Sequence, residues 1–321
     1  MAAIEIVDLV RHFGDVKALD GLNLEVEEGH VHGLLGPNGA GKTTAVRILA
    51  TLLGPTAGSA HVMGHDVVAD AHAVRSVIGL TGQSASVDEW LTGRENLVLL
   101  GRLQGIDEAT ARHRAGDLLD RFDLAEAADR PANTYSGGMQ RRLDLAASLI
   151  GNPPVLFLDE PTTGLDPRSR LQMWSVIRTL GVEGVTVLLT TQYLEEADQL
   201  CDQIVVIDHG RAIARGTADE LKDQVGGQVV EVRVHDPATL GQVAEVVAAV
   251  TGEEAVTDTT LRLVTSATSE GLKSVESVAR RLKSREVSVA DLSLRRPSLD
   301  EVFLQLTGEH IVEDDAEEVL A

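Results

Sequence analysis

The sequence predicts an α/β protein: a large core of mixed sheet and helices, followed by a small second α/β domain. Three observations carry this. Residues 31–36 (VHGLLG) suit a buried strand, residues 36–44 (GPNGAGKTT) form a glycine-rich loop, and TTAVRILATLL after it has apolar residues at helical spacing. Two further short apolar runs, VLFLDE at 155–160 and VTVLLTTQ at 185–192, read as strands buried on both faces. After Gly226-Gly227 the composition shifts, and strand-like and helix-like segments alternate to about residue 308.

Composition narrows the partners. The chain has 321 residues, 43% of them hydrophobic and only 2% aromatic, so its core is aliphatic. Fifty acids against 28 bases give a net charge of −22, which argues against nucleic acid as a partner. The single cysteine, Cys201, allows no intrachain disulfide and fits a reducing compartment. MAAIEIVDLV does not read as a signal peptide, and no run approaches the ~18 apolar residues of a membrane span. Any membrane role is therefore expected to pass through a partner.

In chain order, IEIVDLV and LNLEVEEG read as an antiparallel start joined by a turn-like RHFGDVKAL segment. Phe13 in that segment is a candidate to stack on a base, or a partly buried turn residue. The loop GPNGAGKTT fits G-x-x-x-x-G-K-[ST], the phosphate-binding pattern. Along Gly36, Pro37, Asn38, Gly39, Ala40 and Gly41 the glycines would let backbone N–H groups, which Pro37 alone lacks, turn onto phosphate oxygens. The helix from Lys42, through Thr43 and Thr44, would aim its positive end at the same anion. Lys42 would reach the β- and γ-phosphates, and the Thr43 hydroxyl would ligate Mg²⁺. AGSAHVMG, a helix around 72–77 and the strand VIGLTGQ follow, ending at Gln83, well placed to touch a metal or water.

Residues 86–150 read as mostly helical. Within them Ser136-Gly137-Gly138 opens a periodic helix. Ser136 is a good N-cap, and the same turn is a candidate second anion site. In VLFLDE, Asp159 at the strand end is placed to hold Mg²⁺, and Glu160 to activate or orient a water. PTTGLDPRSR leads into an amphipathic helix, VTVLLTTQ ends at Gln192, and QIVVI with RAIA reads as a closing hairpin. The expected division is 1–225 for the nucleotide-binding part and 226–308 for the small domain. The tail 309–321, with six acids and no Lys or Arg, reads as solvated and disordered.

Taken together these marks resemble the ATP-binding subunit of an ABC transporter. They stand in family order: the loop 36–44, Gln83, YSGGMQ at 135–140, VLFLDE at 155–160, GLDP at 164–167 and TTQ at 190–192. The resemblance spans about residues 3–220. The C-terminal domain and the closing RRPSLDEVFLQLTG are similar to the daunorubicin-resistance type of drug-export ATPase. The resemblance implies an ABC-type phosphate-loop ATPase core with an antiparallel N-terminal subdomain and a helical signature subdomain. It implies ATP and Mg²⁺ as ligands, and a head-to-tail dimer. One copy would supply 36–44, Gln83, Asp159 and Glu160, and the other Ser136, Gly137 and Gly138. It further implies a separate membrane permease and a cytoplasmic position on the inner face of the membrane. Two residues depart from the family pattern: Met139 stands where Gln is commoner, and Gln192 where His is usual. Gln cannot carry a charge near neutral pH, so slower hydrolysis is implied while Glu160 retains it. A nucleotide-gated module with little hydrolysis and a soluble ABC protein without a transport role stand as the alternatives.

Overall fold

The computed structural model describes residues 2–82, 87–225 and 227–307. The chain divides into two compact units between Ala218 and Asp219, ahead of the Gly226-Gly227 position marked in the sequence.

The first unit is built on a six-stranded sheet. Its order is Arg211–Gly216, Gln203–Asp208, Val31–Leu35, Thr186–Thr191, Val155–Asp159, Ile78–Thr81. All neighbours are parallel except the edge pair 203–208 and 211–216, which forms the expected antiparallel hairpin. Apolar side chains cover both faces, as a parallel sheet requires. Leu156, Leu158, Val187 and Leu189 join one core cluster, with Leu97, Leu119, Phe122, Leu143 and Trp174. Val155, Phe157, Leu188, Val205 and Ile207 join the other, with Val46, Ile48 and the antiparallel sheet residues Ile4, Leu22 and Val62. This double burial is why the central strands read as continuous apolar runs rather than as alternations.

The antiparallel sheet runs Val16–Glu27, Ala2–Phe13, Ala57–Val62, His65–Asp66. The segment RHFGDVKAL, read from the sequence as a turn, is mostly strand. Pairing continues to Phe13 opposite Val16, leaving Gly14 and Asp15 as the turn. Register irregularities between Ile6 and Leu9 and between Arg11 and His12 break the period-2 alternation there, which hides the strand from a pattern reading.

Three α-helices occupy most of residues 93–149 in this unit. Gly93–Leu103 starts with a capping box between Thr92 and Glu95. Glu108–Arg121 is capped by Asp107 and Gly137–Leu149 by Ser136. Gln83 and residue 86 lie outside the described residues, as does the tail 309–321.

The second unit has an antiparallel sheet in the order Val256–Asp258, Leu263–Thr268, Gln228–Val234, Val289–Arg295. Helices Leu240–Thr251 and Leu272–Ser284 bury Val243, Val247, Val278 and Leu282 against Val230, Val232 and Val264. Helix Leu299–Thr307 is tied to the sheet by Arg295, which donates to Glu231 at 2.8 Å and to both carboxylate oxygens of Glu301 at 2.8 and 2.9 Å.

Candidate functional site

The C-terminal ends of the central parallel strands gather the predicted acids, the loop and Gln192. Leu35 pairs with Thr191, and Asp159 with Thr190. The Gly36 N–H donates to the Thr191 carbonyl at 3.3 Å, so the phosphate loop leaves its strand beside Gln192. Gly41 holds a φ of 108° and packs on the Ala18 carbonyl so closely that a Cβ would collide with it. No L side chain fits there without strain. Helix Lys42–Leu49 begins at this glycine with no side-chain cap, which leaves its first N–H groups for a ligand. Asn38 and Gly39 stand exposed at the tip, with Pro37 partly buried and Ala40 buried.

Lys42 is 4% exposed, with its ammonium turned onto the loop. It donates to the carbonyls of Gly36 and Pro37 at 2.8 and 3.0 Å and lies 3.6 Å from Glu160 Oε1. Burial pulls its pKa down from the ordinary lysine value, and the charges of Glu160 and Asp159 oppose that. Thr43 Oγ1 donates to Asp159 Oδ1 at 3.1 Å, and Thr190 Oγ1 donates to the same oxygen at 2.6 Å. A hydroxyl and a carboxylate so close are the hard oxygen donors that Mg²⁺ takes when phosphates and water complete its shell. These residues therefore fit the ion. Thr44, partly buried, continues the helix behind Thr43.

Glu160 sits one residue past the strand with a φ of 50°, a left-handed conformation costly for a residue with a Cβ. The surroundings enforce it. Its N–H donates to the Thr190 carbonyl and hydroxyl at 3.1 and 3.0 Å, and Thr163 Oγ1 lies 3.4 Å from its carboxylate. From the other side comes Arg141, a residue the sequence reading did not single out. Its guanidinium donates to the carbonyls of Gly82, Asp159, Glu160 and Pro161 at 2.8, 3.2, 2.7 and 2.8 Å. The only sequence signal for it is its place just after YSGGMQ.

Other predicted residues lie at different distances from this centre. Gln192 is 7% exposed, and the Tyr193 N–H beside it donates to Thr191 Oγ1 at 2.9 Å. Phe13 is 47% exposed at the end of its strand, with the Arg11 guanidinium 4.7 Å from its ring centre. Among the described residues no hydrogen bond or ring contact ties Phe13 to the phosphate loop. Ser136 caps its helix by accepting the Met139 N–H at 3.3 Å. Gly138 packs against Ser169, where a Cβ would collide, whereas Gly137 faces open space. Gly137 and Glu160 also line one cavity of about 410 Å³, with Gln140, Arg141 and Asp144 on its wall. Gln83 lies outside the described residues.

A phosphate loop, a buried lysine and two consecutive acids at one strand end define a nucleotide-binding site of the phosphate-loop ATPase class. Comparison with known proteins gives the particular family. The ABC transporter family matches residues 19–163, and the C-terminal domain of DrrA1-3-like ATP-binding proteins matches residues 216–307. Daunorubicin resistance ATP-binding protein DrrA3 of Streptomyces coeruleorubidus is 54% identical over 96% of each chain. Daunorubicin/doxorubicin resistance ATP-binding protein DrrA of Streptomyces peucetius is 51% identical over 99% of this chain and 96% of its own. Among solved structures, a dimeric ATP-binding cassette in a post-hydrolysis state bound to ADP and Pi aligns with a TM-score of 0.61 at 25% identity. That alignment covers 67% of this chain and 98% of the other. The chain belongs to the ABC transporter ATP-binding proteins, within the daunorubicin-resistance group. No helix among the described residues is long and apolar enough to cross a membrane.

Proposed function

We propose that the chain hydrolyses ATP to drive export of a hydrophobic compound, such as an antibiotic, through a separate membrane permease. The observation that carries this is the convergence of Lys42, Thr43, Asp159 and Glu160 beyond the C-terminal ends of strands Val31–Leu35 and Val155–Asp159. Lys42 and the loop 36–44, through the backbone N–H groups that every residue there but Pro37 carries, hold the phosphates. Thr43 and Asp159, with Gln83, hold Mg²⁺, which neutralises phosphate charge when bound. Glu160 takes a proton from the attacking water, and Gln192 orients that water through its amide. Phe13 stacks on the base with the ring face that Arg11 leaves open.

Ser136, Gly137 and Gly138 bind the γ-phosphate held by a second copy in a head-to-tail dimer. The exposure of Ser136 and Gly137 and the open space at Gly137 support this, as does the dimeric form of the cassette relative. Residues 1–225 form the nucleotide-binding domain and 226–308 an accessory domain. The protein sits on the inner face of the cell membrane, held by the permease. The names of the relatives, which are resistance proteins for daunorubicin and doxorubicin, support a drug as cargo.

Two variants test the chemistry. Glu160→Gln keeps the shape and removes the base, so kcat is expected to fall by about 100-fold or more while ATP binding persists. Lys42→Ala removes a charge-assisted contact worth about 1.5–3 kcal/mol, so ATP binding itself weakens at least tenfold. Steady-state turnover and equilibrium nucleotide binding separate the two. Normal turnover by Glu160→Gln would remove Glu160 as the base.

A further inference from the structure

One buried acid near the nucleotide crevice has no role in the site described so far. Glu196 lies on helix Leu194–Leu200, just after Gln192, and is 0% exposed. Its Oε1 accepts from Thr162 Oγ1 at 2.7 Å and from Trp174 Nε1 at 3.0 Å. Thr162 follows Glu160 and Pro161 in the chain, and Trp174 is on helix Pro167–Val182. Oε2 is buried and makes no hydrogen bond among the described residues, while the polar side chains around the carboxyl, Thr191, Thr162 and Trp174, favour the charged form. Burial acts in the opposite sense and dominates, raising the pKa above the ordinary glutamate value. A second contact joins the same elements: the Arg170 guanidinium lies 4.8 Å from the Tyr193 ring centre.

A buried carboxyl costs free energy that a leucine of similar volume would not. What it gains is directional. From a helix that begins two residues after Gln192, one group reaches the loop after Glu160 and the helix beyond that loop. Packing alone fixes such segments less sharply than hydrogen bonds of 2.7 and 3.0 Å.

The geometry points to Glu196 as a positioning residue, joining the Glu160 loop to the Gln192 strand end so that both act on one water. This rests on the reading of the chain as an ATPase. Glu196 acts through Thr162 and Trp174, and through its own helix just after Gln192.

The test compares kcat and MgATP binding for the full wild-type chain, Glu196→Leu, Glu196→Gln and Thr162→Val. Glu196→Leu is expected to lower kcat by about 10- to 100-fold, the scale of a small misplacement of reacting groups, with nucleotide affinity within about twofold. Glu196→Gln keeps an accepting oxygen for Thr162 and Trp174, and should recover kcat to within about threefold of wild type. Thr162→Val deletes a single donor, which makes it the variant to rely on if Glu196→Leu does not fold. It should lower kcat by about 3- to 10-fold with binding unchanged. Wild-type kcat in Glu196→Leu or in Thr162→Val would overturn the inference. So would a loss of affinity equal to the loss of kcat, or a Glu196→Gln chain as slow as Glu196→Leu. A wild-type chain that binds MgATP without hydrolysing it would overturn the ATPase reading, and the inference with it.

Discussion

His32 lies in the central strand of the parallel sheet, 1% exposed, and neither ring nitrogen has a hydrogen-bond partner among the described residues. Burial lowers its pKa to about 4, helped by His30 and Arg215 and opposed by Asp202 and Glu27. The folded chain therefore holds this ring neutral where the unfolded chain protonates it, from pH 6.5 downward. The unfolded state binds more protons in that window, so stability falls as pH falls from 6.5 to about 4. The loss from this ring alone is roughly 2 kcal/mol between pH 7 and pH 5. Many carboxylates titrate at the acid end too, so the readout is the difference from His32→Leu. Urea denaturation at the two pH values should show His32→Leu losing roughly 2 kcal/mol less than wild type. Equal losses would mean that the ring is protonated in the folded state. The pattern G-x-x-x-x-G-K-T and the doublet Asp159-Glu160 made the charged centre of the site legible, because those types at that spacing have few other uses. His32, Arg141 and Glu196 were not legible. Each takes its meaning from partners far away in the chain, as when Arg141 reaches the Gly82 carbonyl.

At the scale of elements, the apolar runs and helical periods announced the central strands and the helices of 86–150, since burial on both faces and on one face leave different patterns. The first hairpin was partly hidden by its bulges. What no pattern announces is how the signature helix grips the sheet. Arg141, on Gly137–Leu149, spans from the end of the Ile78–Thr81 strand to the loop after Val155–Asp159 through four carbonyls. It thereby helps hold Glu160 at its positive φ. Lysine cannot copy this, because it lacks the planar fork. Arg141→Lys and Arg141→Met are both expected to lower kcat by about 10- to 100-fold. Arg141→Met should also destabilise the fold by about 2–4 kcal/mol, since a buried charged donor and its acceptors are lost together. Turnover and thermal melting measure the two effects. A lysine variant with normal kcat would show that the loop keeps its shape without the fork.

For the molecule as a whole, the question is why one chain carries two glycine turns that each open a helix. Gly41 opens Lys42–Leu49 with no side-chain cap, whereas Ser136 caps Gly137–Leu149 with its own hydroxyl. The second turn is thus complete as a helix start, and a helix start is the bland account of it. The head-to-tail reading asks more: this exposed turn must close on phosphate held by another copy. Substitutions at Ser136 separate the two accounts. Ser136→Ala removes the cap and adds no bulk, at a cost of about 1 kcal/mol. Ser136→Arg removes the same cap and also places a long side chain on the exposed turn. If the turn is only a helix start, both variants behave alike and lose only a little stability. If it meets a second copy, Ser136→Arg alone loses MgATP-driven dimerisation. Its monomer affinity for ATP should stay within about twofold, because Lys42 and the loop 36–44 are untouched. The experiment is light scattering with MgATP on the Glu160→Gln background, where hydrolysis is expected to be too slow to reopen a dimer. A Ser136→Arg chain that dimerises as Ser136→Ala does would leave 135–140 a structural turn, and the partner's contribution to the γ-phosphate would have to come from elsewhere.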